Sequence, residues 1–206
     1  MSSYNPDIHQ RRSIRLKGYD YSQNGAYFVT MCTFDRGCHF EEHEQLRHII
    51  ETQWQNLPER FLGVMLDEFV IMPNHFHGII ILRRDTPRGY PGFGDEERLM
   101  RVERETPCVE QGHPRGVPLR QPSIGEIVGS FKSLCVNAWL KIIKEENLNA
   151  VGKFWQKNYY DHIIRNANEM ERIRRYIVDN PLHWELDREN PLVKKDQPAQ
   201  SEQWML

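Results

Sequence analysis

Two histidines separated by one phenylalanine, and followed at once by an unbroken apolar run, constrain this chain more than any other feature. His75, Phe76 and His77 lead into residues 78–82, which read Gly-Ile-Ile-Ile-Leu. A short run this rich in β-branched residues is typical of a buried strand. Because side chains alternate along a strand, His75 and His77 face one side of the sheet and Phe76 faces the other. Buried imidazoles need polar partners, and a shared metal ion is one that could serve both rings.

The composition indicates a reduced, cytoplasmic globular protein. The chain has 206 residues, of which 39% are hydrophobic and 27% charged, and these values fit one ordinary domain. No apolar run is long enough for a membrane helix, and the N-terminus lacks the charged-then-apolar order of a secretion signal. The four cysteines show neither Cys-x-x-Cys nor zinc-finger spacing.

Hydrophobic periodicity predicts the order strand, helix, strand, strand, helix, strand, helix, which is an α+β domain on a mainly antiparallel sheet. The predicted elements are a strand at 26–33, a helix at 41–57, strands at 61–71 and 75–82, a helix from 123 to about 143, extended chain at 154–165, and a helix at 169–179. Ser123 and Glu126 have the spacing of a capping box, and Asn168 is the predicted cap of the last helix.

The domain boundaries follow from changes in composition. We expect a basic N-terminal arm at 1–25, a core domain at 26–181 and a polar C-terminal tail at 182–206, with Trp184 as its anchor. Residues 84–122 are rich in proline and glycine and poor in large apolar residues, so we interpret them as a mobile insertion in the core.

The last predicted helix offers a third ligand for a metal held by two histidines. Tyr176 and Asn180 are four residues apart and therefore share one helix face, at the boundary of the apolar stripe. Two imidazoles and an amide oxygen form a ligand set that suits Mg²⁺ or Mn²⁺. The residues alone leave the plainer interpretation open, in which the histidines are bonded to carbonyls, the tyrosine is a boundary aromatic and the asparagine ends a helix.

Basic side chains occur in local groups, although the net charge of −2 gives no global sign of a nucleic-acid partner. The N-terminal group stands beside two tyrosines, a combination typical of a single-strand binding arm, and consists of Arg11, Arg12, Arg15 and Lys17. Further candidates for DNA contacts are Arg172 and Arg175 on the last helix and Lys132 on the capped helix. Ordinary solvated side chains remain an alternative for each group.

Seven segments together carry a resemblance to a known family: residues 12–21, 26–30, 72–77, 127–133, 154–156, 159–165 and 174–181. On these motifs the chain resembles the single-tyrosine HUH transposases, specifically the REP-associated tyrosine transposases. The resemblance extends from about residue 11 to residue 181, apart from the insertion. It implies the HUH-endonuclease fold, a ferredoxin-like or RRM-like variant of an antiparallel sheet with packed helices.

The resemblance also implies an activity, namely cleavage and rejoining of single-stranded DNA beside a hairpin. By position, Tyr176 would be the nucleophile that forms a 5′-phosphotyrosine, while His75, His77 and Asn180 would hold Mg²⁺ or Mn²⁺. Many relatives have glutamine at the position of Asn180, and the shorter asparagine leaves contact through a water as an alternative to direct ligation.

Several alternatives stay open at this point. Tyr160 is the rival nucleophile, and His162 is either an auxiliary residue near the site or a hydrogen-bonded strand residue. The chain could instead be a catalytically silent hairpin-binding relative, or an HUH replication initiator or relaxase, although those are usually longer. A monomer and a homodimer are equally compatible with the sequence.

Overall fold

In the computed structural model of the chain, the described residues form a single sheet of four antiparallel strands. The strands are β1 (Gly25–Cys32), β2 (Val64–Ile71), β3 (His75–Leu82) and β4 (Tyr160–Ile164), arranged in the order β2-β3-β1-β4. Every neighbouring pair is antiparallel. This is the ferredoxin-like strand order, and it confirms the predicted α+β class. The structure describes residues 16, 18–83, 122–187 and 190–193.

Within the described part of the chain, five α-helices and two 3₁₀ helices connect and cover the strands. The α-helices are α1 (His39–Glu42), α2 (Glu44–Gln55), α3 (Leu57–Arg60), α4 (Ile124–Glu146) and α5 (Ala167–Asp179), and the 3₁₀ helices are Phe34–Arg36 and Asn180–Leu186. The single helix predicted at 41–57 is therefore wrong in detail. His43 has extended backbone angles that separate α1 from α2, and Asn56 ends α2. None of the described helices has the length and apolarity needed to span a membrane.

The two faces of the sheet pack against different helices. One face packs against α2 and α4 and contains the larger apolar core, with Trp54, Phe76 and Phe131 fully buried. A Cβ on Gly78 would lie 2.5 Å from Trp54 Cζ2, so this close approach of β3 to α2 requires glycine. The opposite face is covered by α5, where a smaller apolar cluster includes Ile173 and Ile177.

The helix caps show where local sequence signals succeed and fail. The capping box of α4 is present, because Ser123 Oγ accepts from Glu126 N at 3.3 Å and Glu126 Oε2 accepts from Ser123 N at 2.7 Å. The predicted cap of α5 is wrong by two residues. Asn166 caps the helix, and its Oδ1 accepts from Glu169 N at 2.9 Å, which puts Glu169 at the third helical position.

Helix α5 is tied to the sheet by a two-point ion pair with strand β2. Arg174 Nε and Nη2 donate to the two carboxylate oxygens of Asp67 at 2.8 and 2.7 Å. Burial disfavours the charged carboxylate, but the hydrogen bonds from Arg174 and from Glu68 N outweigh this, and the pKa of Asp67 is lowered. After α5 the chain continues as the 3₁₀ helix Asn180–Leu186, which includes the first residues of the segment predicted to be a polar tail.

Candidate metal and nucleophile site

The two histidines of β3 lie side by side beneath α5. His75 and His77 are 0% and 5% exposed, and their ring centroids are 4.6 Å apart. Phe76 belongs to the core on the other face, as the alternation of a strand predicts. The sheet therefore presents two adjacent buried imidazoles toward the helix that carries Tyr176.

Hydrogen bonds to the two Nδ1 atoms orient the rings. His75 Nδ1 lies 2.9 Å from Asn74 Oδ1, and His77 Nδ1 lies 2.8 Å from Oγ1 of Thr30, its partner in the β1–β3 register. Asn74 is itself held, because its Nδ2 donates to the carbonyl of Arg36 at 3.0 Å. We assign the ring proton to Nδ1 in both histidines, which places the lone pair of each ring on Nε2.

Asn74 and Thr30 are positioning residues that the sequence analysis did not identify. Asn74 stands directly before His75 in the corner that joins β2 to β3, so its position in the motif was an available signal. Thr30 is 47 residues away from His77, and only the pairing of β1 with β3 brings the two together.

Burial sets the protonation state of the second histidine. The pKa of His77 is well below its ordinary value, first because the ring is desolvated and second because a charge on His75 would repel a charge on His77. The ring is therefore neutral near pH 7, and a neutral imidazole is the form that binds a metal.

The structure brings Tyr176 to this histidine pair within one chain. The Tyr176 hydroxyl lies 3.4 Å from His77 Nε2, and the two ring centroids are 5.3 Å apart. The tyrosine ring also contacts Phe28 edge-on, at a centroid distance of 6.1 Å. Helix α5 thus places the predicted nucleophile beside the predicted ligands, half-buried and with its hydroxyl toward them.

Asn180 follows α5 directly and carries a buried oxygen. The residue is 5% exposed, and its Oδ1 makes no hydrogen bond to any residue that the structure describes. Such an oxygen is costly unless something binds it. Within the described ranges, no group of three or more His, Cys, Asp or Glu side chains is arranged to hold a metal. The donor set that fits a cation is thus two imidazoles and this amide oxygen, a combination suited to Mg²⁺ or Mn²⁺.

One further acidic residue reaches the site from the segment whose composition predicts a polar tail. Asp187 Oδ2 lies 3.7 Å from His75 Nε2, and the side chain of Asp187 is 12% exposed. Trp184, the predicted anchor, lies 6.0 Å from the His75 ring. An isolated aspartate in a polar stretch carries no local signal for this position.

The two auxiliary candidates on β4 have different surroundings. Thr30 pairs with His77 on one side and with Tyr160 on the other, so Tyr160 is two strands away from His77, or about 10 Å between backbones. His162 Nε2 lies 2.8 Å from Glu169 Oε1 on α5. The geometry therefore gives His162 a part in holding α5 and places Tyr176 nearer than Tyr160 to the histidine pair.

The predicted DNA-binding cations divide into three groups. Lys132 Nζ donates to the carbonyls of Gln156 and Asn158 at 2.9 and 2.8 Å, and burial lowers its pKa to about 8. Arg172 and Arg175 are exposed on α5. The four cations of the arm, Arg11, Arg12, Arg15 and Lys17, lie outside the described residues, as do residues 84–121 of the predicted insertion. DNA contacts by all of these residues stay predictions.

Comparison with known proteins places the chain among relatives. A scan against protein-family models finds no match. A solved REP-associated tyrosine transposase bound to a REP hairpin is similar in structure, with a TM-score of 0.44, 16% identity and coverage of 91% of this chain and 92% of that one. A candidate transposase from Deinococcus radiodurans R1 gives a TM-score of 0.38 at 15% identity, with coverage of 81% and 97%.

A protein of Haemophilus influenzae (strain Rd), itself uncharacterized, is much more similar in sequence. It is 36% identical over 196 residues, which cover 91% of this chain and 97% of the relative. This chain belongs to the same protein family as that Haemophilus influenzae protein.

Proposed function

We propose that this chain is a metal-dependent transesterase of the HUH type that cleaves single-stranded DNA through Tyr176. The observation that carries the proposal is the 3.4 Å distance between the Tyr176 hydroxyl and Nε2 of His77, one of two adjacent buried histidines. A buried pair of oriented imidazoles beside a half-buried phenol is an arrangement suited to covalent phosphoryl transfer.

The ligands in this proposal are His75, His77 and Asn180. With Nδ1 of His75 bonded to Asn74 and Nδ1 of His77 bonded to Thr30, Nε2 is the nitrogen of each ring that can bind a metal. Asn180 supplies the buried oxygen described above. When Mg²⁺ or Mn²⁺ is bound there, it supplies Lewis-acid polarisation of a phosphate oxygen.

Tyr176 carries out the covalent step. Its phenolic oxygen forms a bond to the phosphorus of the scissile phosphodiester, and the bond from phosphorus to the 3′ oxygen breaks. One proton passes overall from the phenol to the departing oxygen, which leaves a 5′-phosphotyrosine and a free 3′-hydroxyl. Since the pKa of a phenol is about 10, far below that of an alcohol, the tyrosine is also a good leaving group when the strand is rejoined.

The substrate in this proposal is a DNA hairpin with a single-stranded flank, as the sequence resemblance implies. Arg172 lies one helical turn before Tyr176 and is exposed on the same face of α5. It is therefore placed to contact a phosphate near the scissile bond. The chain would act in solution on DNA, without a membrane partner.

The decisive experiment asks whether Tyr176 becomes covalently attached to DNA. The full chain is incubated with Mn²⁺ and an end-labelled hairpin oligonucleotide carrying single-stranded flanks, and the adduct is detected on a denaturing gel and located by mass spectrometry. We expect an adduct with wild type and none with Tyr176→Phe, which keeps the aromatic ring. Tyr160→Phe is the matched control and should form the adduct normally.

Two outcomes would contradict this assignment. An adduct that persists in Tyr176→Phe and disappears in Tyr160→Phe would transfer the nucleophile to β4. Hairpin binding by the wild-type chain with no adduct in Mn²⁺ or Mg²⁺ would instead support the catalytically silent hairpin-binding alternative.

A further inference from the structure

We infer that Asp187 is an additional ligand of the divalent cation held by the histidine pair. This inference deepens the proposed function and rests on it, because it concerns the same metal. Its basis is the approach of the Asp187 carboxylate to the ligand nitrogen of His75 from outside the Tyr176 helix.

The distance between the two atoms fits a shared cation better than a direct contact. Asp187 Oδ2 and His75 Nε2 are 3.7 Å apart, which is too long for a hydrogen bond. Two ligand atoms bound at about 2.1 Å to one octahedral ion are about 3.0 Å apart in adjacent positions and about 4.2 Å apart in opposite positions. As they stand in the structure, His75, His77 and Asp187 do not form a ready-made metal site within the described residues. The proposed coordination therefore requires the Asp187 side chain to turn toward the ion when the metal binds, which would shorten its 3.7 Å distance from His75 Nε2 to about 3.0 Å.

The segment that carries Asp187 is folded in place. Asp187 N donates to the carbonyl of Trp184 at 3.1 Å, and Asn190 N donates to the carbonyl of Asp187 at 3.0 Å. The side chain of Asn190 is 6% exposed and donates a second bond to the Trp184 carbonyl at 2.9 Å. The Trp184 ring lies 6.0 Å from His75, so this turn is packed against the site.

The other proposed ligands are neutral, so the Asp187 carboxylate would supply the only negative charge in the proposed ligand set. His75, His77 and Asn180 are all neutral ligands when the rings are unprotonated, and hard divalent cations such as Mg²⁺ and Mn²⁺ prefer anionic oxygen. Asp187 would add one negative charge and one hard donor. The competing interpretation, an ion pair between Asp187 and a protonated His75, predicts the opposite result, because that pair would hinder metal binding.

The test measures Mn²⁺ binding to the full chain by titration calorimetry, without DNA. We expect Asp187→Asn to weaken binding by at least about tenfold. Glu185→Gln is the matched control, an exposed acid two residues away, and should bind as wild type does. Equal or tighter binding by Asp187→Asn would overturn the inference.

A second readout separates coordination from simple charge attraction. The amide of Asp187→Asn keeps an oxygen that could still bind the ion, so this readout uses Asp187→Ala, which removes every side-chain oxygen at this position. Asp187→Ala should add one water to the bound Mn²⁺, which pulsed electron paramagnetic resonance measures with the metal at saturating concentration. Weaker binding with an unchanged number of waters would show that Asp187 acts only through its charge, and would also overturn the inference.

His75→Ala distinguishes failure of this inference from failure of the proposed function. If His75→Ala, shown to be folded by circular dichroism, binds Mn²⁺ like wild type, the metal site itself is wrong. If His75→Ala loses binding while Asp187→Asn keeps it, only the role of Asp187 is wrong.

Discussion

The proposed metal chemistry depends on which ring nitrogen each histidine presents to the cation. A neutral imidazole has two tautomers, and either ring nitrogen can carry the lone pair that binds a ligand. In a buried ring, hydrogen bonds from neighbouring residues select the tautomer. Asn74 and Thr30 resolve this by accepting from Nδ1 of His75 and His77 at 2.9 and 2.8 Å. The orientation of the two histidines therefore depends on two other residues, Asn74 and Thr30.

Replacing Thr30 with valine tests this dependence. Thr30→Val removes the acceptor for His77 Nδ1, so we expect Mn²⁺ binding to weaken about 10- to 100-fold. The stability of the metal-free chain should fall by about 1 kcal/mol. Calorimetric Mn²⁺ titration and urea unfolding measure the two effects. Thr30→Ser keeps a hydroxyl and should behave as wild type, whereas unchanged Mn²⁺ affinity in Thr30→Val would refute the role assigned to Thr30.

The residues of the site differ in how far the sequence can reveal them. His75 and His77 are readable because strand alternation places residues two apart on one face, and Tyr176 and Asn180 are readable because a helix brings residues four apart together. Asp187 reaches His75 across more than a hundred residues through a turn held by backbone hydrogen bonds. No local pattern encodes such a contact, because it depends on the packing of the whole chain.

Helix α5 is the element on which the proposed reaction depends. It covers one face of the sheet and is fixed to two strands, by Arg174 to Asp67 on β2 and by Glu169 to His162 on β4. These contacts determine the height and rotation of the helix, and hence where the Tyr176 hydroxyl lies. A shift of about 1 Å at a reacting group is enough to reduce rate severely.

The ion pair between Asp67 and Arg174 makes part of the stability depend on pH. The pKa of Asp67 is lower in the folded chain than its ordinary value, so the pair contributes fully above about pH 4 and is lost as the pH falls through the lowered folded pKa. Asp67→Asn should therefore lower the free energy of unfolding by about 1–3 kcal/mol at pH 7. Below about pH 4 the difference from wild type should shrink.

Urea unfolding of both proteins at pH 7 and at pH 3 checks this expectation. Glu68→Gln is the matched control, because Glu68 is an exposed acid on the same strand. A difference between Asp67→Asn and wild type that stays constant over this pH range would show that the ion pair is not its source.

The start of a helix can be predicted from the sequence when the capping residues are close together along the chain. The capping box at Ser123 and Glu126 is complete in the structure, since both of its bonds join residues three apart. The start of α5 was misplaced because Asn166 and Asn168 are both good caps, and contacts outside the helix decide between them. Glu169 accepts from Arg165 N at 2.7 Å and pairs with His162, which favours the cap at Asn166.

The main apolar core and the proposed reaction site lie on opposite faces of the sheet. The large apolar core lies between the sheet and helices α2 and α4, while the histidines and Tyr176 lie on the α5 face. Strand β3 serves both, with Phe76 and Ile80 in the core and the histidines on the site face. Substitution of Tyr176, which is half-buried on the α5 face, should therefore affect the proposed chemistry more than the stability of the chain.

If the proposed function is correct, this separation predicts which surface binds DNA. The net charge of −2 supplies no general attraction for a polyanion, so the proposed affinity for DNA would come from cations on one surface. Arg172 is exposed on α5 one turn from Tyr176, whereas Arg47 is exposed on α2, on the opposite face of the sheet. The two arginines have the same charge and similar exposure, and they differ in which side of the sheet they occupy.

Comparison of Arg172→Ala with Arg47→Ala tests whether the α5 face is the DNA surface. Each phosphate contact that is lost should reduce the slope of log affinity against log salt by about one. We therefore expect Arg172→Ala to weaken binding of a hairpin oligonucleotide and to reduce this slope, and we expect Arg47→Ala to leave both unchanged. Fluorescence anisotropy at several salt concentrations gives the two slopes. Equal effects of both substitutions would mean that charge acts without regard to face, and a larger effect of Arg47→Ala would place the DNA on the side of α2 and α4.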